Sequence, residues 1–359
     1  MKLIDVCNPK QWKTISASEL VEDGYPVFGA NGIIGYFSDY NHENPTLCIT
    51  CRGATCGTVN KSLPYSYITG NSMALDDLDE SVITIDFLYY FLQYRGFDDV
   101  ITGSAQPQIT RQSLSKITVP EIDLNIQKNI TNIIKRLEQL ILIREKQREK
   151  FNMLVKSRFN EMFGDPVLNE MGWDKCRLKD ISEEKLAYGS GASAIEFSGL
   201  RYIRITDIDT YGNLKPEKKS PSQFDEKYLL NTGDILFARS GATVGKTFLY
   251  SKKKHGPALY AGYLIRLIPN HSLVNPIFVY HFTKTKYYND FIAKVQNAVA
   301  QPNINAKQYS ELDFILPPLS LQNEFADFVA QVDKSQLAIQ KSLEELETLK
   351  KSLMQEYFG

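Results

Sequence analysis

The stretch Ser240-Gly241-Ala242-Thr243-Val244-Gly245-Lys246-Thr247 comes within one residue of a phosphate-binding loop. Such a loop reads G-x-x-x-x-G-K-[ST]: backbone amides wrap the phosphates, the lysine neutralises them and the hydroxyl binds Mg²⁺. Counting back from Gly245-Lys246-Thr247, the first glycine is due at position 240, where the chain has Ser240. The loop is one residue short. A second copy lies upstream, where Gly53-Ala54-Thr55-Cys56-Gly57 matches Gly241-Ala242-Thr243-Val244-Gly245 and Thr58 replaces the lysine. The pair reads as a repeated tight turn built on Gly53, Gly57, Gly241 and Gly245. A P-loop-like nucleotide-binding enzyme using residues 241–247 stands as the alternative reading.

Other chemistry is sparser still. Cys48, Cys51 and Cys56 lie close together with His42 nearby, and C-x₂-C invites a zinc reading. The matching positions of the second copy are Leu236, Arg239 and Val244, so the cysteines are read as small buried apolar residues and no metal is expected. His42, His255, His271 and His281 form no recognisable constellation. Glu183 and Lys185 resemble a nuclease pair only in type, as pairs on solvated faces do. The one Pro-Pro, Pro317-Pro318, lacks the polar and aromatic flanks of an amino-methyltransferase loop. Neither catalysis nor a cofactor is expected.

The elements that must position these residues come in duplicate. Gln127-Lys128 opens a segment ending at Phe163-Gly164, and Gln322-Asn323 opens one ending at Phe358-Gly359, 195 positions later at both ends. Ala105-Gln106-Pro107-Gln108-Ile109 and Ala300-Gln301-Pro302-Asn303-Ile304 keep the same offset. Each half therefore runs in one order: a globular part, an Ala-Gln-Pro element read as a hinge, and a long terminal segment. Apolar residues at Ile130, Ile133, Ile134, Leu137, Leu140 and Ile141, and at Phe325, Phe328, Val329, Val332, Ile339 and Leu343, recur every three or four positions. That spacing, without Pro or Gly, predicts two long amphipathic helices with coiled-coil seams. The first carries a net charge of +5 over 125–164 and the second −3 over 321–359, which favours their pairing.

The globular parts carry strand-like runs, "TLCITCRG", "SVITIDF", "KITVP", "LRYIRITDI", "GDILFARSG" and "GYLIRLIP", with helical pieces "DFLYYFLQYR" and "PIFVYHFTKTKYYNDFI" between them. The expected fold class is α/β (mixed α+β): two globular domains separated by two long antiparallel coiled-coil helices, an internal duplication with pseudo-two-fold symmetry. Expected boundaries are 1–124, 125–164, 165–321 and 322–359. With 359 residues, 43% apolar and 23% charged, the chain is globular. No apolar run reaches the roughly 20 residues that span a bilayer. The N-terminus has no apolar leader, so a cytoplasmic location is expected and no membrane partner.

Taken together, "YPVFGANGIIGYF", "TCRGATCGTV", "YIRITDI", "GDILFARSGATVGK" and "AQPNI", with two helices that each end in Phe-Gly, resemble the specificity subunit of type I restriction–modification systems. The resemblance spans essentially the whole chain. It implies that residues 1–124 and 165–321 are target recognition domains, each reading one half of a split site on double-stranded DNA. It implies that the helices fix the spacing and dock methyltransferase subunits, two of them, with restriction (translocase) subunits as further partners. It implies no catalytic residues in this chain. One feature departs from it: residues 1–124 carry a net charge of −7, whereas DNA binding usually leaves a basic footprint.

Base reading needs side chains that donate or accept in fixed pairs, Arg to guanine and Asn or Gln to adenine. The candidates in the first half are Asn31, Tyr36, Arg52, Thr55, Lys61, Gln108 and Arg111. Those in the second are Arg201, Arg204, Arg239, Ser240, Thr243, Lys246, Lys252, Lys253 and Lys254.

Overall fold

The computed structural model describes residues 1–30, 32–103, 106–209, 212–297 and 303–359, and only the backbone of Ala242. It divides into two compact units, Met1–Glu145 with Lys341–Gly359, and Lys146–Gln340.

In the first unit α1 (Leu3–Val6) precedes seven strands: β1 (Asn8–Gln11), β2 (Tyr25–Gly29), β3 (Gly32–Phe37), β4 (Leu47–Thr50), β5 (Val59–Lys61), β6 (Tyr67–Ile68) and β7 (Ser72–Asp76). Then come α2 (Ile85–Arg95), α3 (Arg111–Leu114) and the start of α4 (Leu124–Phe163). The antiparallel sheet runs β1-β7-β4-β5, and a smaller one runs β3-β2-β6 with β2 parallel to β6. Ile49, Met73 and Leu75 of the larger sheet are buried with Phe87, Leu88 and Phe91 of α2 and Ile130 and Ile134 of α4.

The second unit contains the end of α4, then β8 (Asp174–Arg177), β9 (Ala187–Tyr188), β10 (Ala194–Glu196), β11 (Arg201–Ile203), β12 (Lys219–Pro221), β13 (Ile235–Ala238) and β14 (Thr247–Leu249). α5 (Lys252–His255), β15 (Ala258–Tyr260), β16 (Leu264–Leu267), α6 (Pro276–Phe282), α7 (Lys286–Asn297), α8 (Ala306–Ser310), β17 (Asp313–Leu316) and α9 (Leu319–Phe358) follow. The sheet order β9-β16-β13-β14 repeats β1-β7-β4-β5, and the parallel pair β11–β15 repeats β2–β6. The duplication is thus topological as well as sequential.

Two of the strand expectations need correction. "KITVP" holds only an isolated bridge, Thr118 to Lys2. "SVITIDF" is not a strand: Thr84 caps α2 by accepting from Phe87 N, Asp86 sits in the first turn, and the apolar residues face the core as a helix. "PIFVYHFTKTKYYNDFI" is two helices, α6 and α7, broken where Thr283 and Thr285 each turn a hydroxyl onto the backbone carbonyl three residues back.

Each long helix is 40 residues. Within the second unit Arg158, Asn152 and Arg148 of α4 meet Glu324 (3.3 Å), Gln336 (2.8 Å) and Gln340 (3.2 Å) of α9. Within the first unit Glu138 meets Lys350 at 2.7 Å. Position numbers fall on one helix as they rise on the other, so the pairing is antiparallel in both units. The Phe-Gly ends are anchors. Phe163 packs on Phe278 and Phe325, and Phe358 on Phe87, Phe91 and Tyr94.

The start of each helix is held by a fully buried glutamine. Gln127 Oε1 accepts from Thr84 N (2.8 Å), and its Nε2 donates to Val82 O (2.9 Å) and Ile122 O (2.8 Å). Gln322 does the same with Asn275 N (2.9 Å), Leu273 O (3.2 Å) and Pro317 O (2.8 Å). Three satisfied amide bonds in a dry site tie helix start to the cap of α2 or α6. Among the described residues no helix is long and apolar enough to cross a membrane.

Candidate nucleic-acid interface

The glycine-rich repeat is one hairpin built twice. Gly57 N donates to Thr50 O (2.8 Å) and Thr58 N to Thr55 O (3.1 Å); Gly245 N donates to Ala238 O (3.0 Å) and Lys246 N to Thr243 O (3.0 Å). Gly53, Gly57, Gly241 and Gly245 have φ of +85°, +93°, +66° and +85°, the left-handed region that favours glycine. This geometry excludes the phosphate-loop alternative. A phosphate loop leads from strand to helix with its amides free, whereas here the loop joins β13 to β14 and the amides of Val244, Gly245 and Lys246 bond their own turn. Thr247, which would bind the metal, is fully buried with its hydroxyl 2.7 Å from Thr283 Oγ1.

In the first unit the hairpin lies against the Gln-Pro element. Gly53 N donates to Pro107 O (3.1 Å), Ile109 N to Cys51 O (3.0 Å), and Arg52 bridges to Gln108. A cleft opens here, lined by Lys10, Gln11, Arg52, Gln108 and Arg111 among others, with no carboxylate in its lining. Gln11 reaches Cys51 Sγ (2.9 Å) and Gly70 O (3.0 Å), and Lys10 Nζ sits 3.7 Å above the Trp12 ring. Thus Arg52, Gln108 and Arg111 come together, and Thr55 sits in the adjoining turn. Tyr36 lies on β3, exposed beside Ile33 and Ile34. Lys61 is held by Asp86 at 2.7 Å, a carboxylate that Lys135 shares. Asn31 lies outside the described residues.

The second unit repeats this frame with other side chains. Ile304 N donates to Arg239 O (2.8 Å) and Ser240 bridges to Asn303, as Ile109 does to Cys51 and Arg52 to Gln108. The Arg239 guanidinium lies 4.7 Å over the Tyr188 ring and its Nε donates to Asn303 Oδ1 at 3.3 Å. Thr243 bonds Ser240 O (2.9 Å), and Lys246 is half-buried in the turn. Lys252, Lys253 and Lys254 form the exposed α5, from which Lys254 reaches Asp333 at 3.2 Å. Arg201 and Arg204 are occupied elsewhere. Arg201 is buried and bonds Lys215 O at 2.7 Å, and Arg204 forks onto Asp207 at 2.6 and 3.1 Å. Gln301-Pro302, the second hinge element, lies outside the described residues.

Sequence reasoning missed Lys10 and Gln11 of β1, Tyr188 of β9 and Asn303, which reach the hairpin from distant parts of the chain; Asn303 alone had a signal, its place in the repeat. It also left His42 unassigned. Here His42 Nε2 lies 2.8 Å from Asp76 Oδ1, Trp12 Nε1 donates to Asp76 Oδ2 (3.1 Å), and Asn41 meets the other ring nitrogen. The five cysteines are free, and burial pushes the thiols of Cys7 and Cys48 up to about 12.

A family model described as "Type I restriction modification DNA specificity domain" matches residues 1–152 and 170–349. A Haemophilus influenzae protein provisionally named a type I restriction enzyme specificity subunit is 24% identical over 311 residues, 80% of this chain and 79% of that one. A Methanocaldococcus jannaschii protein provisionally named a type I restriction enzyme specificity subunit is 30% identical over 199 residues, 52% of this chain and 45% of that one. Among solved structures, the type I restriction–modification S subunit from M. genitalium aligns at a TM-score of 0.66 with 16% identity, covering 100% of this chain and 95% of that one. A chain from work on complex assembly and conformational transition of the type I R-M system aligns at 0.62 with 15% identity, covering 100% and 96%. At such identities the structures speak for the fold.

Proposed function

This chain belongs to the type I restriction modification DNA specificity family, and from that premise we propose that it selects a bipartite site on double-stranded DNA. Residues 1–124 and 165–321 act as target recognition domains, one per half-site, and the helices of 125–164 and 322–359 as the spacer between them. The chain carries no catalysis of its own. It places partner methyltransferase subunits, two per complex, and restriction subunits on the site it selects, in the cytoplasm. The observation that carries this reading is the repeated frame: one hairpin, one bridge to the residue after the Gln-Pro element, and different side chains at matching positions. A shared scaffold with exchanged readers is what two half-sites of different sequence require.

For partner docking, α4 offers a stripe in the first unit. Ile126, Ile133 and Leu140 recur every seven residues, with Ile143 one turn beyond, and are 52%, 39%, 45% and 50% exposed. Such a stripe, left unburied by the chain itself, suits a helical partner.

The test is domain exchange. Residues 165–321 are replaced by the equivalent domain of a relative, the complex is assembled with its methyltransferase, and methylated sites are sequenced. One half-site changes and the other stays. Alteration of both, or of neither, rejects independent domains.

A further inference from the structure

The first recognition domain poses an electrostatic problem that its cleft resolves. Residues 1–124 carry a net charge of −7 and only eight basic side chains. Three of those eight, Lys10, Arg52 and Arg111, line one cleft that has no carboxylate in its lining. Among the described residues none of the three is in an ion pair, although Lys61 and Arg95 of the same domain are. A domain repelling polyanions over most of its surface has thus kept its unneutralised guanidinium groups in one place.

From this arrangement, and resting on the function proposed above, we infer that the cleft is where the first domain meets its half-site. Lys10 and Arg111 hold backbone phosphates, and Arg52 and Gln108 read base edges. The division follows from the frame. Arg52 and Gln108 face each other across a bridge between the hairpin and the Gln-Pro element, and the matching positions in the second domain carry Ser240 and Asn303. The backbone there is common and the side chains differ, as readers of different half-sites must. Arg52 has the forked donors that match guanine O6 and N7, and Gln108 the donor and acceptor that match adenine N6 and N7. Lys10, held over Trp12, carries a point charge suited to a phosphate and too undirected for a base. A guanine and a neighbouring adenine therefore belong to the first half-site.

The experiment uses the full chain assembled with its methyltransferase subunit. Binding is measured against duplexes with the first half-site randomised, at several salt concentrations. Lys10→Ala and Arg111→Ala should weaken every sequence alike and each lower the log–log salt slope by about one. Arg52→Lys keeps the charge and loses the fork. It should leave the slope unchanged and lower the preference for guanine at one position by roughly 5- to 100-fold, with the second half-site intact. Gln108→Ala should relax a neighbouring position. All four side chains line an open cleft, so none of these changes threatens folding. An unchanged slope in both alanine variants, or undiminished guanine preference in Arg52→Lys, overturns the assignment while leaving the bipartite reading standing. A wild-type complex that selects no bipartite sequence overturns both.

Discussion

At the scale of single residues, the two glycines of one turn are not equivalent. A Cβ at Gly245 would lie 2.8 Å from Ile292 Cγ2, whereas one at Gly241 meets nothing within 4 Å. Both have positive φ, so Gly241→Ala should cost about 1–2 kcal/mol from backbone strain alone. Gly245→Ala must add a clash against a buried side chain, and should cost at least about 1 kcal/mol more. Urea unfolding of the two variants checks the order, and equal losses would contradict the hairpin packing. Gln322→Leu is expected to be worse than either. It strands Asn275 N, Leu273 O and Pro317 O in a site that is fully buried, at about 1–3 kcal/mol for each group left unpaired.

At the scale of elements, α5 and α6 carry histidines that the fold keeps neutral. Burial lowers His255, against Phe248 and Tyr250, and His281, edge-on to Phe325, from 6.5 to about 4. Their folded values lie below their unfolded ones, so their contribution is whole above about pH 6.5. As pH falls from there through 4, the unfolded chain takes up protons that the folded chain refuses, and stability is lost, by up to about 3 kcal/mol per histidine. His281→Phe should therefore flatten the acid side of the stability curve of the second unit, while matching or exceeding wild type at pH 5. Calorimetry between pH 7 and 4.5 reads this directly, and parallel curves would show that His281 titrates normally. On α4, Leu140→Glu should abolish co-purification of the methyltransferase subunit without lowering the melting temperature, because Leu140 is exposed in the isolated chain.

At the scale of the whole molecule, the proposed spacer is a statement about length. Forty helical residues rise about 60 Å, or about 18 base pairs at 3.4 Å each, which is the reach the proposed spacer would supply. The partition between the two units falls between Glu145 and Lys146 on α4 and between Gln340 and Lys341 on α9, at the most polar stretch of α4. Since α9 is paired with α4 on both sides of that point, a spacer change must be made in both helices to keep the register. Four residues inserted after Glu145 and four after Gln340 add about 6 Å to each while roughly preserving the apolar seam. Methylated-site sequencing should return the same half-sites with one or two more unspecified base pairs between them. Methylation at only the original spacing, by a variant that still binds its methyltransferase, would show that the helices are not the ruler.

Much of this architecture is local, and local features are legible in one dimension. The apolar periodicity of Ile130, Ile134 and Leu137, or of Phe325, Val329 and Val332, forces a helix with one buried face whatever surrounds it. The Gly-x-x-x-Gly turn follows from backbone conformations that disfavour other residues, and a repeat at a constant offset declares a duplication without any structure. Tertiary structure alone decided which polar residues meet. Arg52 and Arg239 sit at neighbouring, not identical, positions of the same hairpin, so one faces Gln108 and the other stacks on Tyr188. Arg201 and Arg204 look like readers in sequence, yet Arg201 is buried and donates to Lys215 O, and Arg204 forks onto Asp207. Lys10 joins Arg52 and Arg111 only because β1 pairs with β7 and the Gln-Pro element folds back on the hairpin. Helix and turn signals depend on neighbours within a few residues. A binding surface is assembled from side chains separated by forty to a hundred positions, and their convergence is set by strand order, which no local pattern encodes.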